Sequence, residues 1–240
     1  MIKRIAQTAG FAGLLAAILL TLLQSLWVTP LILEAETYES AEPVAEHGHV
    51  ASVTAHAHEH EEAAGHSHDG EAWAPEDGWQ RSLATGLSNL VVAVGFALVL
   101  AGLFSLRAPR RIWQGLLWGL GGFVVFSLAP SAGLPPELPG TAAADLQLRQ
   151  YWWLGTVVAS AAGLGLIAFG RGWTVRGVGL ALLAVPHLIG APQPQVHQSL
   201  APEALGREFI LASLLTNALF WSALGLAAAW FFARGERPGA

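Results

Sequence analysis

Long uninterrupted apolar runs, rather than alternating or one-faced patterns, dominate this 240-residue chain. A helix crossing hydrocarbon needs about 20 predominantly apolar residues, because every backbone N–H and C=O must be satisfied within the segment. Six segments meet or approach that length: Ile5 to Trp27, Leu83 to Leu106, Ile112 to Ala129, Trp152 to Gly170, Trp173 to Ile189 and Phe209 to Phe232. Only Arg171 and Gly172 separate the fourth from the fifth, so a tight turn is required there. The fifth is short, and Pro186 is expected to break it and free the carbonyl of Leu182. The pattern predicts an all-α polytopic membrane helix bundle of about six transmembrane helices, a single membrane domain over residues 1–240, with a disordered His-rich outer loop at 34–80 between the first two helices.

Composition agrees with this reading. Charged residues make up 12% of the chain, about half the share usual in a soluble domain. The first span opens on Lys3-Arg4 like a signal peptide. Its apolar run is longer than the 7–15 residues of a signal core, and no A-x-A site follows, so it reads as an uncleaved helix.

Charge then orients the bundle. With the N-terminus inside, nine of the twelve basic residues fall on inner segments: Lys3, Arg4, Arg107, Arg110, Arg111, Arg171, Arg176, Arg234 and Arg237. Sixteen of the seventeen acidic residues fall outside. Cytoplasmic loops carry an excess of Lys and Arg, and a wrong span count would scramble the alternation. The expectation is a bacterial inner-membrane protein with both termini cytoplasmic. Small residues at intervals of four, Gly115 and Gly119 on the third span and Gly155, Ala159 and Gly163 on the fourth, suggest close helix crossings. Gln24, Asn89 and Asn217 are buried amides expected to join helices by hydrogen bonds.

The candidate chemistry concentrates in the outer loop. Seven of nine histidines lie between Glu46 and Gly70, as His47 and His49, His56, His58 and His60, and His66 and His68. In an extended chain, His-x-His points both rings to one side, within reach of one ion. Imidazole suits cobalt, nickel, copper and zinc, and histidine-rich tracts read as metal-binding. The segment is acidic, alanine-rich and poor in large apolar residues, so it cannot bury enough surface to fold. Such a chain suits ion capture rather than rigid selection. For a selective site, His187 at the end of the fifth span is the first candidate, since an intramembrane histidine implies function by default. His197, Glu137 and Asp145 in the outer connections are further metal candidates. Tyr151-Trp152-Trp153 fits an interfacial aromatic belt.

Other classes fare poorly. There are no cysteines and no GxxxxGK[ST] loop, and no HExxH occurs within a span. No enzyme, no resident cofactor and no nucleic-acid partner is expected.

Four stretches carry a family likeness: RIAQTAGFAGLLAAILLTLLQSLWVTPLILEAETYE, SLAPSAGLPPELPG, LRQYWWLGT and AVPHLIGAP. Through them the chain resembles CbtA, a family of proposed cobalt transporter subunits. Pro135, Pro136, Glu137, Leu138, Pro139, Gly140, Arg149, Gln150, Trp152, Trp153, Pro186, His187, Gly190, Ala191 and Pro192 occupy its motifs. The resemblance implies a multi-spanning protein for cobalt uptake tied to cobalamin synthesis. It also implies a partner in the same bilayer, a small single-span, histidine-bearing membrane subunit. Sequence alone leaves nickel or zinc open as the metal, since an N/O site prefers nickel, copper or zinc over cobalt unless geometry intervenes. It also leaves open a membrane-anchored metal receptor or accessory protein that does not itself conduct.

Because neutral imidazole is the ligand, protons compete with metal for the loop, and binding is lost as pH falls through about 6.5. Titration of the purified chain with Co²⁺ should show binding near about pH 7.5 that a variant lacking residues 46–70 does not show. That difference should largely vanish by about pH 5.5; a pH-independent difference would remove the histidines as ligands.

Overall fold

The computed structural model describes residues 1–41 and 78–235. The histidines at 47–68, and the expected disorder of their loop, lie outside the described residues. Among the described residues there are six helices: α1 Ile2–Ser40, α2 Trp79–Leu106, α3 Ile112–Ser131, α4 Leu146–Phe169, α5 Trp173–Ile189 and α6 Glu203–Arg234. All but α5 are long and apolar enough to cross a membrane; α5 is shorter, at 17 residues. Among the described residues the one strand-like feature is an isolated bridge, Thr141 with Ser199. The all-α membrane bundle expected from the apolar runs is therefore what the chain forms.

Helix α6 is the mast. It packs along α1 and α3 and touches α2, while α1 lies along α2. Small residues allow these approaches. Ala9, Ala12, Ala16 and Leu20 of α1 share one core with Ala93, Ala97 and Ala101 of α2 and with Phe220, Trp221, Leu224 and Ala228 of α6. At Gly13 a side chain would collide with the backbone of Val94. The closest crossing joins α3 to α6: a Cβ at Gly115 would strike the carbonyl of Gly225, and one at Gly119 the carbonyl of Trp221. The Gly115/Gly119 stripe is thus a true contact. The α4 stripe is displaced: Gly155 faces open space, and the buried face runs through Thr156, Ser160 and Gly163, where Gly163 meets Gly179 of α5. Glycine spacing alone did not reveal which side of α4 meets α5.

Large apolar side chains face outward along the helices, for instance Leu14, Leu15, Ile18 and Leu22 on α1 and Leu211 and Leu215 on α6. A hydrocarbon surround solvates them, as the composition requires. The buried amides do join helices. Asn89 donates to Thr21 Oγ1 at 3.0 Å and to Gln24 Oε1 at 2.7 Å, and Asn217 Oδ1 lies 3.5 Å from Ser127 Oγ. At the basic end, Arg4 Nε donates to the carbonyl of Phe232 at 2.8 Å and its guanidinium lies over that ring, tying the start of α1 to the end of α6.

Two helices contain the same local device. A π-helical turn, Gln24–Val28 in α1 and Val124–Leu128 in α3, ends two residues before Pro30 and Pro130 respectively. Proline has no N–H, and its ring crowds the carbonyl four residues back. The wider turn relieves that conflict, with Thr29 N–H bonding Gln24 O and Ala129 N–H bonding Val124 O.

Helix α1 runs well past Trp27 and past Glu34, where the loop was expected to begin. The reason is local burial: Val28, Leu31 and Ala35 pack on Leu138, Ala201, Leu205 and Phe209, a second small core beyond the bundle. Arg81 reaches from α2 to both carboxylate oxygens of Glu36, with Nη1 to Oε2 at 3.2 Å. Nor does Pro186 break α5. The helix continues to Ile189, and Pro186 itself is buried.

Replacing Gly119 or Gly225 with alanine should destabilise the fold by about 1–3 kcal/mol, the usual scale of forced overpacking. Gly121→Ala, close by on α3 but facing open space, should be neutral. Detergent unfolding followed by tryptophan fluorescence distinguishes the two; equal effects at 119 and 121 would refute the crossing.

Candidate functional site at the acidic end

Two connections roof the acidic end of the bundle. The α3–α4 connection passes through Pro135, Pro136 and Pro139, and Gly140 turns it with a φ of 73°. The α5–α6 connection leaves α5 at Gly190, φ 86°. They meet where Ala142 N–H donates to Gln198 O at 2.9 Å and Leu200 N–H to Gly140 O at 3.3 Å. Short proline-stiffened segments can pair this way because few backbone donors remain to be satisfied elsewhere.

Beneath this crossing lies a cavity of about 800 Å³, lined among others by Glu137, Arg149, Gln193, His197 and Glu203. Glu137 Oε2 accepts from Arg149 Nη2 at 3.0 Å. These two side chains remain partly exposed, at 27% and 30%, so a cation entering the cavity can compete with the guanidinium for the carboxylate. His197 is exposed, its Nε2 lying 3.5 Å from Gln193 Oε1.

The sequence-derived candidates divide in two. Glu137 and His197 share the cavity. Asp145 instead caps α4, accepting from Leu148 N–H at 3.0 Å. His187 is exposed near the end of α5 and does not line the cavity; its ring sits edge-on to Trp152 at 6.0 Å. Among the described residues no three His, Asp or Glu side chains come together as a metal-binding group.

Trp152 is not an interfacial belt residue like its neighbours. Tyr151 and Trp153 are exposed, but Trp152 turns inward and donates Nε1–H to the carbonyl of Pro186 at 3.3 Å. Any side chain at Gly133 would collide with its ring and with Ala191. One indole thus joins the stretches SLAPSAGLPPELPG (at Gly133), LRQYWWLGT and AVPHLIGAP, which the sequence offers as separate motifs. The tryptophan pair was a visible signal in the sequence, but the partners of Trp152 were not. The tip of α1 reaches the same connection: a Cβ at Gly140 would lie 3.1 Å from Glu39 Cγ. Inside the bundle, Ser160 and Thr216 hydroxyls are buried without a hydrogen-bond partner.

The capping role of Asp145 yields a test. Asp145→Asn retains a good N-cap and should leave stability and metal uptake unchanged, whereas Asp145→Ala should cost about 1 kcal/mol. Loss of uptake in the folded Asn variant would instead make the carboxylate a ligand.

No curated protein and no solved structure matches the chain. At the acidic end a face built from the proline-rich turn, the inward tryptophan and the α5 terminus stands on a bundle of apolar helices, and residues 2–233 of the chain match one family model. The chain belongs to that family, CbtA, described as probable cobalt transporter subunit.

Proposed function

We propose that this chain is the membrane protein through which a bacterial cell takes up a divalent transition metal, Co²⁺ destined for cobalamin synthesis, with nickel or zinc as the competing cargoes. The acidic end faces outward and both termini lie in the cytoplasm, as the charge alternation requires. The histidine run captures the ion and delivers it to the cavity, where Glu137 and His197 receive it. His187, exposed at the same end, is a further donor on the route.

The observation that supports this reading is the placement of Glu39, in the last turns of α1, against Gly140 in the connection over the cavity. In this scheme the run that follows α1 in sequence gives up its ion near that cavity. Inward movement of a divalent cation gains about 2.3 kcal/mol per charge per 100 mV, so the membrane potential suffices to concentrate it. The chain needs no resident cofactor and performs no catalysis in this scheme. The family description as a transporter subunit implies a partner, which we assign to a small single-span histidine-bearing protein.

One observation favours a second reading, a capture protein that passes metal to a separate conductor. Gln24, Asn89 and Asn217 are all engaged in helix-to-helix or helix-backbone hydrogen bonds. Those amides therefore offer an ion no ready path.

Uptake of radioactive cobalt by cells expressing the chain separates the two. Deleting residues 46–70 should raise the half-saturating concentration severalfold and leave the maximal rate. The pair Glu137→Gln with His197→Ala should lower the maximal rate, and His187→Ala should reduce it in part. No uptake by the chain with its small partner, restored by co-expression of a separate conducting protein, establishes the capture reading. No uptake under either condition overturns both.

A further inference from the structure

Helices α4 and α5 form a hairpin whose backbone packs on the rest of the bundle at the acidic end, while at the basic end side chains alone bridge the gap. From Val124 to Ser131, α3 packs against α4, but the half of α3 nearer the basic end, Ile112–Phe123, does not run along it. The gap is a wedge of about 1040 Å³ between α2, α3 and α4, with Trp221 of α6 at its floor. Its walls are apolar, among them Leu103, Leu117, Val125 and Leu164. Two glycines, Gly121 on α3 and Gly165 on α4, line it and would place a Cβ in open space. Arg107 and Arg110 line the wedge at the basic end. The Arg107 guanidinium rests on the Phe169 ring, 4.5 Å from its centroid, and Phe169 in turn meets Trp118 at 5.7 Å. Among the described residues neither arginine forms an ion pair.

We propose that this wedge binds one anionic phospholipid from the leaflet at the basic end, with its phosphate on Arg107 and Arg110 and its acyl chains between α3 and α4. Length supports this occupant. The wedge follows α3 from Gln114 to Phe126, roughly 18 Å at 1.5 Å per residue. One leaflet contributes about 15 Å of hydrocarbon. Charge selects the headgroup. Two guanidinium groups at a membrane surface attract anionic lipid and have no preference for a zwitterion of zero net charge. Glycine at 121 and 165 keeps the walls apart, since any larger residue there projects into the acyl space. This inference stands apart from the metal-uptake reading and concerns the opposite end of the molecule.

Native mass spectrometry of the purified full chain, supplied with equal amounts of dioleoyl phosphatidylglycerol and dioleoyl phosphatidylcholine, tests it. The wild type should retain phosphatidylglycerol in preference, by on the order of tenfold or more for two arginines. Arg107→Gln with Arg110→Gln should bring phosphatidylglycerol down to the phosphatidylcholine level. Gly121→Leu with Gly165→Leu should remove adducts of both lipids. Arg234→Gln, at the same end but outside the wedge, should change nothing. Unfolding curves confirm that each variant folds, and the arginine pair decides the matter if the leucine pair does not. Equal retention of the two lipids, indifference to the arginine pair, or lipid that persists in the folded filled wedge overturns the proposal. So does release of a co-purifying polypeptide by the leucine pair with lipid unaffected, which would make the wedge a protein interface.

Discussion

The closest approach in the molecule is the crossing of α3 and α6 at Gly115, Gly119 and Gly225, and much of the architecture depends on it. Between helices in lipid there is no hydrophobic gain from association, because hydrocarbon solvates leucine as well as protein does. Close packing must supply the attraction, and backbone-to-backbone packing requires residues without side chains. The same rule holds α1 to α2 through Gly13 and the alanines at 93, 97 and 101, and α4 to α5 through Gly163 and Gly179. Where the rule is not met, between the basic half of α3 and α4, the helices part and leave the wedge. Gly121 and Gly165 show that glycine alone does not close a gap: both face into it.

The two ends of the bundle are built differently as a result. The basic end is drawn in by a few arginine contacts, Arg4 on Phe232 and Arg107 on Phe169, and otherwise opens toward lipid. The acidic end carries its own small core, in which the extension of α1 past its π-helical turn packs on Leu138, Leu205 and Phe209. That extension carries Glu39 to the paired connections, against Gly140. Prolines 30 and 130 are part of this: each would clash within a regular helix, and each is accommodated by one widened turn at the acidic-end half of its helix. The helices thereby continue into the roof rather than ending at it.

The motif residues acquire physical roles in this setting. Arg149 and Glu137, from two separate motifs, are ion-paired at the cavity. Trp152 holds the α3 exit and the α5 terminus together, and His187 sits on its edge. The roof is thus held by one indole, one ion pair and the backbone hydrogen bonds of the two connections.

The sequence by itself determined the class and the axis of this protein. Run length dictates which segments can cross a bilayer, and loop charge dictates how they alternate; both are one-dimensional constraints imposed by the membrane, readable without a partner in view. The glycines of α3 and the amides Asn89 and Asn217 were legible for the same reason, since few other roles suit such residues in hydrocarbon. The tertiary structure alone decided which face of each helix turns inward. A helix apolar on every side has no amphipathic phase to read, so the shift of the α4 contact from Gly155 to Thr156, Ser160 and Gly163 was invisible. It also decided the fate of the charged candidates. Asp145 caps a helix, Glu137 meets Arg149 and Glu39 meets Gly140 because two irregular connections cross. Where such connections cross depends on the rotation and tilt of the helices that carry them.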